Sequence, residues 1–329
     1  MKILFIGGTG NISLDCATLL ASRGHEVSIL TRGQRSAPPQ FRALVAERHD
    51  AEAIRRVIGN DWPDVVINFL GYTPDEVKLD HAIFAGHIRH YIFISTAMVY
   101  AKPHRQLPIT EESPRGNPFS DYAQQKHSCE DWLMEKFRSE KFPVTIVRPS
   151  HTYSHRWIPN PIKSEGYTFL KRLELGKPVF IHGDGQNLWT LTATSDFAVG
   201  IAGLAGNVEA AGEAFHITSD EVLTWNQIYA ETVLAAGIRD AKILKIPTWF
   251  VCRESPRMIG SLLGDKAEHG VFDSAKIKRW VPDFACRKTY REGIAEAVRW
   301  FREDPARQTI NAEADAVFDK VCAAWTARK

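Results

Sequence analysis

Apolar positions in the first half of the chain follow two alternating periods. Short runs rich in β-branched residues read as buried strands: Lys2 to Ile6, Glu26 to Thr31, Arg42 to Glu47, Asp64 to Leu70, His90 to Ser95 and Val144 to Arg148. Between them apolar residues recur at helical spacing, as in Leu14, Ala17, Leu19, Leu20 and Ala21. Local punctuation supports these helices. Gly24-His25 closes the first, Asp50 caps the run AEAIRRVI, and Thr73-Pro74-Asp75-Glu76 opens another. A Pro- and Gly-bearing loop from Lys102 to Pro118 precedes a long helix, DYAQQKHSCEDWLMEKF. Alternating strands and helices, without repeats or low-complexity tracts, predict an α/β protein built on a doubly wound parallel sheet.

The pattern changes after Ser150. Pro159, Pro161, Gly166, Gly176 and Pro178 interrupt shorter elements, which predicts a smaller mixed lobe for substrate. The expected division is 1–150 for the sheet domain and 151–329 for the lobe and C-terminal helices. Segments near 190–220 are expected to return to the sheet domain, with a helix over Asp196 to Leu204 and a late strand over Ala214 to Ile217. Trp225 to Ala236 reads as a helix, and the C-terminal third as mostly helical.

The first strand breaks into Gly7-Gly8-Thr9-Gly10-Asn11-Ile12-Ser13 before a helix, the context a dinucleotide-binding fingerprint requires. The sheet is therefore expected to be Rossmann-type. Gly7 permits the tight turn, and Gly10 lets the backbone approach a pyrophosphate at the helix N-terminus. Thr9, Asn11 and Ile12 complete the turn as expected cofactor contacts, joined by Leu70 and Gly71 at the end of the fourth strand. Ser13 replaces the third glycine, which predicts slightly looser helix–strand packing. The second strand ends in Thr31-Arg32, with Arg35 nearby, where an acid would bind the ribose of NAD. Without that carboxylate a 2′-phosphate is tolerated and Arg32 can pair with it, so NADP is expected over NAD. The alternative is that Arg32 stacks on adenine or faces solvent.

Composition narrows the function classes. The 329 residues carry a formal charge of +2, which gives no reason to invoke nucleic acid or an anionic membrane as partner. No stretch reaches transmembrane length, and the apolar opening is too short for a signal peptide. Cys16, Cys129, Cys252, Cys286 and Cys322 have no paired spacing, pointing to a reducing cytoplasm without disulfides or zinc. The twelve histidines form no ligand pattern, so no metal is expected.

Tyr122 and Lys126 stand four residues apart in the long helix, on one face. An ammonium there favours the phenolate and lowers the tyrosine pKa, as would a cationic nicotinamide. Such a phenol can exchange a proton with a substrate hydroxyl or carbonyl. Thr96, at the end of the fifth strand, can donate a second hydrogen bond to the same oxygen.

These residues resemble the extended or atypical short-chain dehydrogenase/reductase proteins, the NAD-dependent epimerase/dehydratase group. The resemblance runs through the glycine turn, ISTAMVY (Ile94 to Tyr100), Tyr122 and Lys126, IVRPS (Ile146 to Ser150), GKPVFIHGDG and TSDFA (Thr194 to Ala198). It implies Tyr122 as general acid/base, Lys126 on the ribose hydroxyls, Thr96 orienting substrate, and the nicotinamide carboxamide near Pro149 and Ser150. It also implies a homodimer packed through the helices near Thr73 and Asp121. The departures bear on substrate. Ala97 and Met98 replace the Asp-Glu pair of the sugar dehydratases, which argues against water elimination. Trp189 replaces a diphosphate-clamping arginine, and His151 an asparagine. His151, Trp157 and Trp189, the two tryptophans in expected pocket loops, are expected to line the pocket of a carbohydrate-type substrate, with His155 and His182 as further candidates. The reading is an NAD(P)-dependent oxidoreductase or epimerase acting on a sugar or nucleotide-sugar hydroxyl or ketone. The competing class is a non-catalytic cofactor-binding or RNA-associated protein of the same fold.

Overall fold

The computed structural model describes residues 1–34, 37–162 and 165–328. Seven parallel strands form the central sheet: β1 (Lys2–Ile6), β2 (Glu26–Thr31), β3 (Arg42–Val45), β4 (Val65–Asn68), β5 (His90–Ile94), β6 (Val144–Pro149) and, later in the chain, β10 (Ala214–Ile217). Their order across the sheet is β3-β2-β1-β4-β5-β6-β10. The order reverses direction on either side of β1, so β1 and β4 bound the crevice where open α/β sheets hold ligands. β4, β5 and β6 are buried along their whole length, because helices cover both faces. One apolar layer joins the sheet to α1 (Ser13–Ser22) and α6 (Thr194–Leu204). The other joins it to α2 (Ala51–Ile58), α3 (Pro74–Phe84) and α4 (Asp121–Glu140).

The helix signals act as chemistry requires. The Asp50 side chain accepts the Ala53 N–H at 2.9 Å. Thr73 and Glu76 form a reciprocal capping box ahead of Pro74. A second apolar core, independent of the sheet, lies beneath β7 (His151–Tyr153), β8 (Val179–His182), β9 (Leu188–Ala193), α7 (Trp225–Ala235) and the helices Tyr290–Glu303 and Ala312–Thr326. In that region β7, β9 and β11 (Val222–Thr224) form a small mixed sheet, and β8 pairs with β12 (Ile243–Ile246). The C-terminal third is therefore not purely helical. β12 is short and half-exposed, and among the described residues it pairs only with β8, far away in sequence.

Candidate active site

Two clefts open at the carboxyl edge of the sheet. The first, about 380 Å³, lies at the ends of β1, β2 and β3 and beside Leu70. Gly7 begins its floor with φ +87°, and a Cβ there would lie 2.5 Å from Leu70 Cγ, so backbone and space both demand glycine. Gly71 is similarly confined, its missing Cβ facing Phe93 at 2.7 Å and Asn68 at 2.9 Å. Ser13 is 1% exposed, and its Oγ accepts the Gly10 N–H at 2.9 Å. The serine thus ties the turn together. Thr9, Gly10 and Arg32 line this cleft, with Arg32 exposed at the rim. Arg35 lies outside the described residues. Asn11 turns toward β7, where its Oδ1 accepts a hydrogen bond from the Ser154 hydroxyl.

The second cleft, about 530 Å³, brings Ile12, Thr96, Tyr122, Lys126, Pro149, Ser150, His151, Trp157 and Trp189 to one surface. β5 delivers Thr96, whose Oγ1 accepts the Met98 N–H at 3.2 Å and so starts the turn Ala97–Val99. α4, capped by Ser120, carries Tyr122 and Lys126 one turn apart. The Glu130 carboxylate holds α4 to β6 through two bonds from Arg148, 2.9 Å from Nε and 2.7 Å from Nη2. Lys126 is buried, and burial lowers its ammonium to about 8. Its Nζ lies 4.8 Å from the Phe93 ring centre and 5.1 Å from that of Tyr72.

Tyr122 is 41% exposed, but desolvation of its phenol still pushes the pKa up, Tyr72 adds to the rise, and a hydrogen bond with Thr96 opposes it. The expectation that Lys126 lowers this pKa is not met. One N–H of the ammonium bonds to the Ile94 carbonyl, and Nζ stands 5.9 Å from the Tyr122 ring centre, so desolvation of the phenol outweighs its pull.

Trp189 belongs to β9, not to a loop. It is 4% exposed, packs on Trp225 with ring centres 5.6 Å apart, and donates from Nε1 to His151 Nδ1 at 3.3 Å. Burial lowers His151 to about 3, so the ring is neutral at physiological pH. Of the other candidate histidines, His182 is buried in β8 with Nε2 donating to the Lys266 carbonyl at 2.8 Å. His155 packs edge-on against Trp300. Neither lines the second cleft.

Sequence reasoning missed Tyr72, Asp265 and Lys266 in the second cleft and Arg48 in the first. Tyr72 follows Gly71 at a strand end, which was a usable signal. Asp265 and Lys266, ion-paired at 3.1 Å, come from a π-helical turn over Leu262–Lys266 that carries no motif. Among the described residues no cluster of His, Cys, Asp and Glu could hold a metal, and no helix is long and apolar enough to cross a membrane.

Glycine turn, Thr96, Tyr122 and Lys126 at one sheet edge agree with a match by family sequence. The chain belongs to the NAD dependent epimerase/dehydratase family. That family's model matches residues 3–218. The chain is 25% identical over 239 residues to 2'-dehydrokanamycin reductase of Streptomyces kanamyceticus, covering 72% of this chain and 67% of that one. It is 26% identical over 259 residues to the chloroplast stem-loop binding protein of 41 kDa b of Arabidopsis thaliana, covering 74% and 65%. The fold is also that of UDP-glucose 4-epimerase from Bifidobacterium longum, solved with NAD+ and UDP. There the TM-score is 0.75 at 18% identity, over 93% of this chain and 99% of that one.

Proposed function

We propose that this chain is an NAD(P)-dependent oxidoreductase or epimerase that acts on a sugar hydroxyl or ketone, with Tyr122 as the proton donor and acceptor. The observation that carries the reading is the convergence of Thr96, Tyr122 and Lys126 on one cleft beside the glycine turn. The first cleft fits the adenosine half of a dinucleotide: a glycine floor, apolar walls and arginines at rim and wall. Bound nicotinamide would supply or accept the hydride. Lys126 would hold the ribose hydroxyls, with Pro149 and Ser150 near the carboxamide. Thr96 and Tyr122 would bracket the reacting oxygen, Thr96 by a neutral hydrogen bond and Tyr122 by moving its proton as charge develops. A cationic nicotinamide close to the phenol would favour the phenolate. Thr31 and Arg32 favour NADP over NAD, and the reading places the work in the cytoplasm.

Ala97 and Met98 put no carboxylate beside Thr96, which supports reduction or epimerisation over dehydration. No arginine is among the described residues lining the second cleft, so a sugar without a diphosphate handle is favoured. The name of the Streptomyces relative, 2'-dehydrokanamycin reductase, supports the same substrate class. We also propose a homodimer packed through α3 and α4, for which light scattering at micromolar concentration should give twice the chain mass. Cofactor retention on purification tests the main reading. Exchangeable NADPH marks a reductase, tightly held NAD an epimerase, and failure to bind either refutes both. The stem-loop binding relative keeps RNA association as the second reading, tested by titrating stem-loop RNA against the NADPH-loaded protein. The near-neutral charge weighs against it.

A further inference from the structure

Asn117 is buried at the end of the loop that leads into α4, and its side-chain amide joins three segments of the chain. Its Nδ2 donates to the Met98 carbonyl at 2.8 Å and to the Gly264 carbonyl at 2.6 Å, and its Oδ1 accepts the Phe119 N–H at 3.0 Å. Each of these segments brings a group to the second cleft. Met98 lies in the turn that follows Thr96, and Phe119 and Ser120 lead into the helix that carries Tyr122. Gly264 lies in the turn Leu262–Lys266, which supplies Asp265 and Lys266. That turn comes close to the start of α4: a Cβ on Gly264 would stand 3.3 Å from Ser120 Cβ and 3.4 Å from Asn117 Oδ1.

The two sides of the cleft are otherwise anchored apart. On the sheet side, Arg148 and Glu130 hold α4 to β6, Lys126 bonds to the Ile94 carbonyl, and Arg148 donates to the hydroxyl of Tyr100, which closes the Thr96 turn, at 2.9 Å. On the lobe side, His182 Nε2 donates to the Lys266 carbonyl at 2.8 Å, and the Gly270 N–H donates to the Leu188 carbonyl of β9 at 2.9 Å. Met98 and Gly264 face Asn117 with carbonyls, and two acceptors cannot bond to one another. A buried group with two N–H donors satisfies both, which an amide does and a carboxylate or an aliphatic side chain does not. We propose that Asn117 is a positioning residue that sets the substrate wall, holding the turn Leu262–Lys266 against the face that carries Thr96 and Tyr122. This rests on the function proposed above. Because Thr96 and Tyr122 keep their own anchors, Asn117 governs how closely Asp265 and Lys266 approach the substrate, and its loss falls on substrate binding rather than on proton transfer.

The test compares wild type, Asn117→Ala and Asn117→Asp in the NADPH-dependent reduction of 2'-dehydrokanamycin, the ketone in the name of the Streptomyces relative. Hydrogen exchange of the NADPH-loaded full chain is measured alongside. The aspartate keeps an acceptor for the Phe119 N–H and lacks the amide donors, so it separates the tie to Gly264 from the start of α4. Both variants should raise KM about tenfold, the scale of two lost hydrogen bonds, and leave kcat within about a factor of two. Exchange should rise over residues 262–268 and stay unchanged over the glycine turn. A lower kcat at unchanged KM would reflect a smaller folded fraction and would overturn the proposal. Wild-type KM in Asn117→Asp, or exchange that rises evenly along the chain, would overturn it too. Should Asn117→Ala fail to fold, the aspartate variant decides alone. If wild-type protein binds NADPH but leaves the ketone unreduced, the substrate reading fails, and exchange over 262–268 in the variants then decides the role of Asn117 by itself.

Discussion

Lys126 Nζ donates a 2.7 Å hydrogen bond to the carbonyl oxygen of Ile94, the last residue of β5. The bond fixes a buried ammonium at the junction of the sheet and α4, beside the rings of Phe93 and Tyr72. It leaves the remaining N–H groups of Nζ for ribose hydroxyls. Lys126→Met should therefore weaken cofactor binding as well as slow turnover, and fluorescence titration with NADPH would read the first effect. Unchanged affinity would remove Lys126 from the cofactor site.

Asp80 gives a pH signature of the buried network. Burial, against the pull of Arg48, Tyr91 and Asn68, raises its carboxyl from the ordinary 3.8 to about 6. Between those values the folded chain keeps a proton that the unfolded chain has released. Asp80 thus contributes stability that is fully present below 3.8 and is lost as pH rises through about 6. The limiting slope is about 1.4 kcal/mol per pH unit. Urea unfolding at several pH values should show stability falling across this window relative to Asp80→Asn. Parallel curves for the two proteins would contradict the assignment.

Arg32 sits exposed at the rim of the first cleft, where a 2′-phosphate is expected. Arg32→Ala should weaken NADP(H) about tenfold at low salt, the scale of a bond to a charged group, and leave NAD(H) nearly unchanged. Because the side chain is solvated, the difference should shrink as ionic strength rises. Equal losses for both cofactors would return Arg32 to stacking on adenine.

The sheet was legible because its inner strands are buried on both faces, and runs such as VVIN and HYIFI have few other readings. Strand, glycine turn and helix then brought the first cleft into view, and Tyr122 with Lys126 the second. Residues whose role depends on distant partners stayed hidden. Arg48 reads as an ordinary charge after a strand, and only its pairing with Asp80, 32 positions away, shows it to be buried. Trp189 looked like a pocket-loop residue because β9 is a lobe strand whose partners, β7 and β11, are short and carry little pattern. The Tyr122 pKa was misread for a related reason. Helical spacing gives proximity to Lys126, but not the carbonyl that occupies the ammonium or the desolvation around the phenol.

Tyr122→Phe should abolish turnover while leaving cofactor affinity nearly intact. The phenylalanine keeps the ring beside Tyr72, whose centre is 6.4 Å away, and removes only the hydroxyl. That hydroxyl acts when the substrate oxygen changes charge, so its loss falls on the transition state rather than on binding. Acid/base assistance is worth about 10²–10⁴-fold, far above the error of a rate assay. Thr96→Ala should be milder, because one neutral hydrogen bond contributes about 0.5–1.5 kcal/mol. The order of effects matters as much as their size. Tyr122 must cost more than Thr96 in turnover, and neither should match Lys126 in cofactor affinity. A Tyr122→Phe enzyme that kept more than about a tenth of wild-type turnover, against that expected loss, would show the proton moving elsewhere. The non-catalytic readings of the fold would then take precedence.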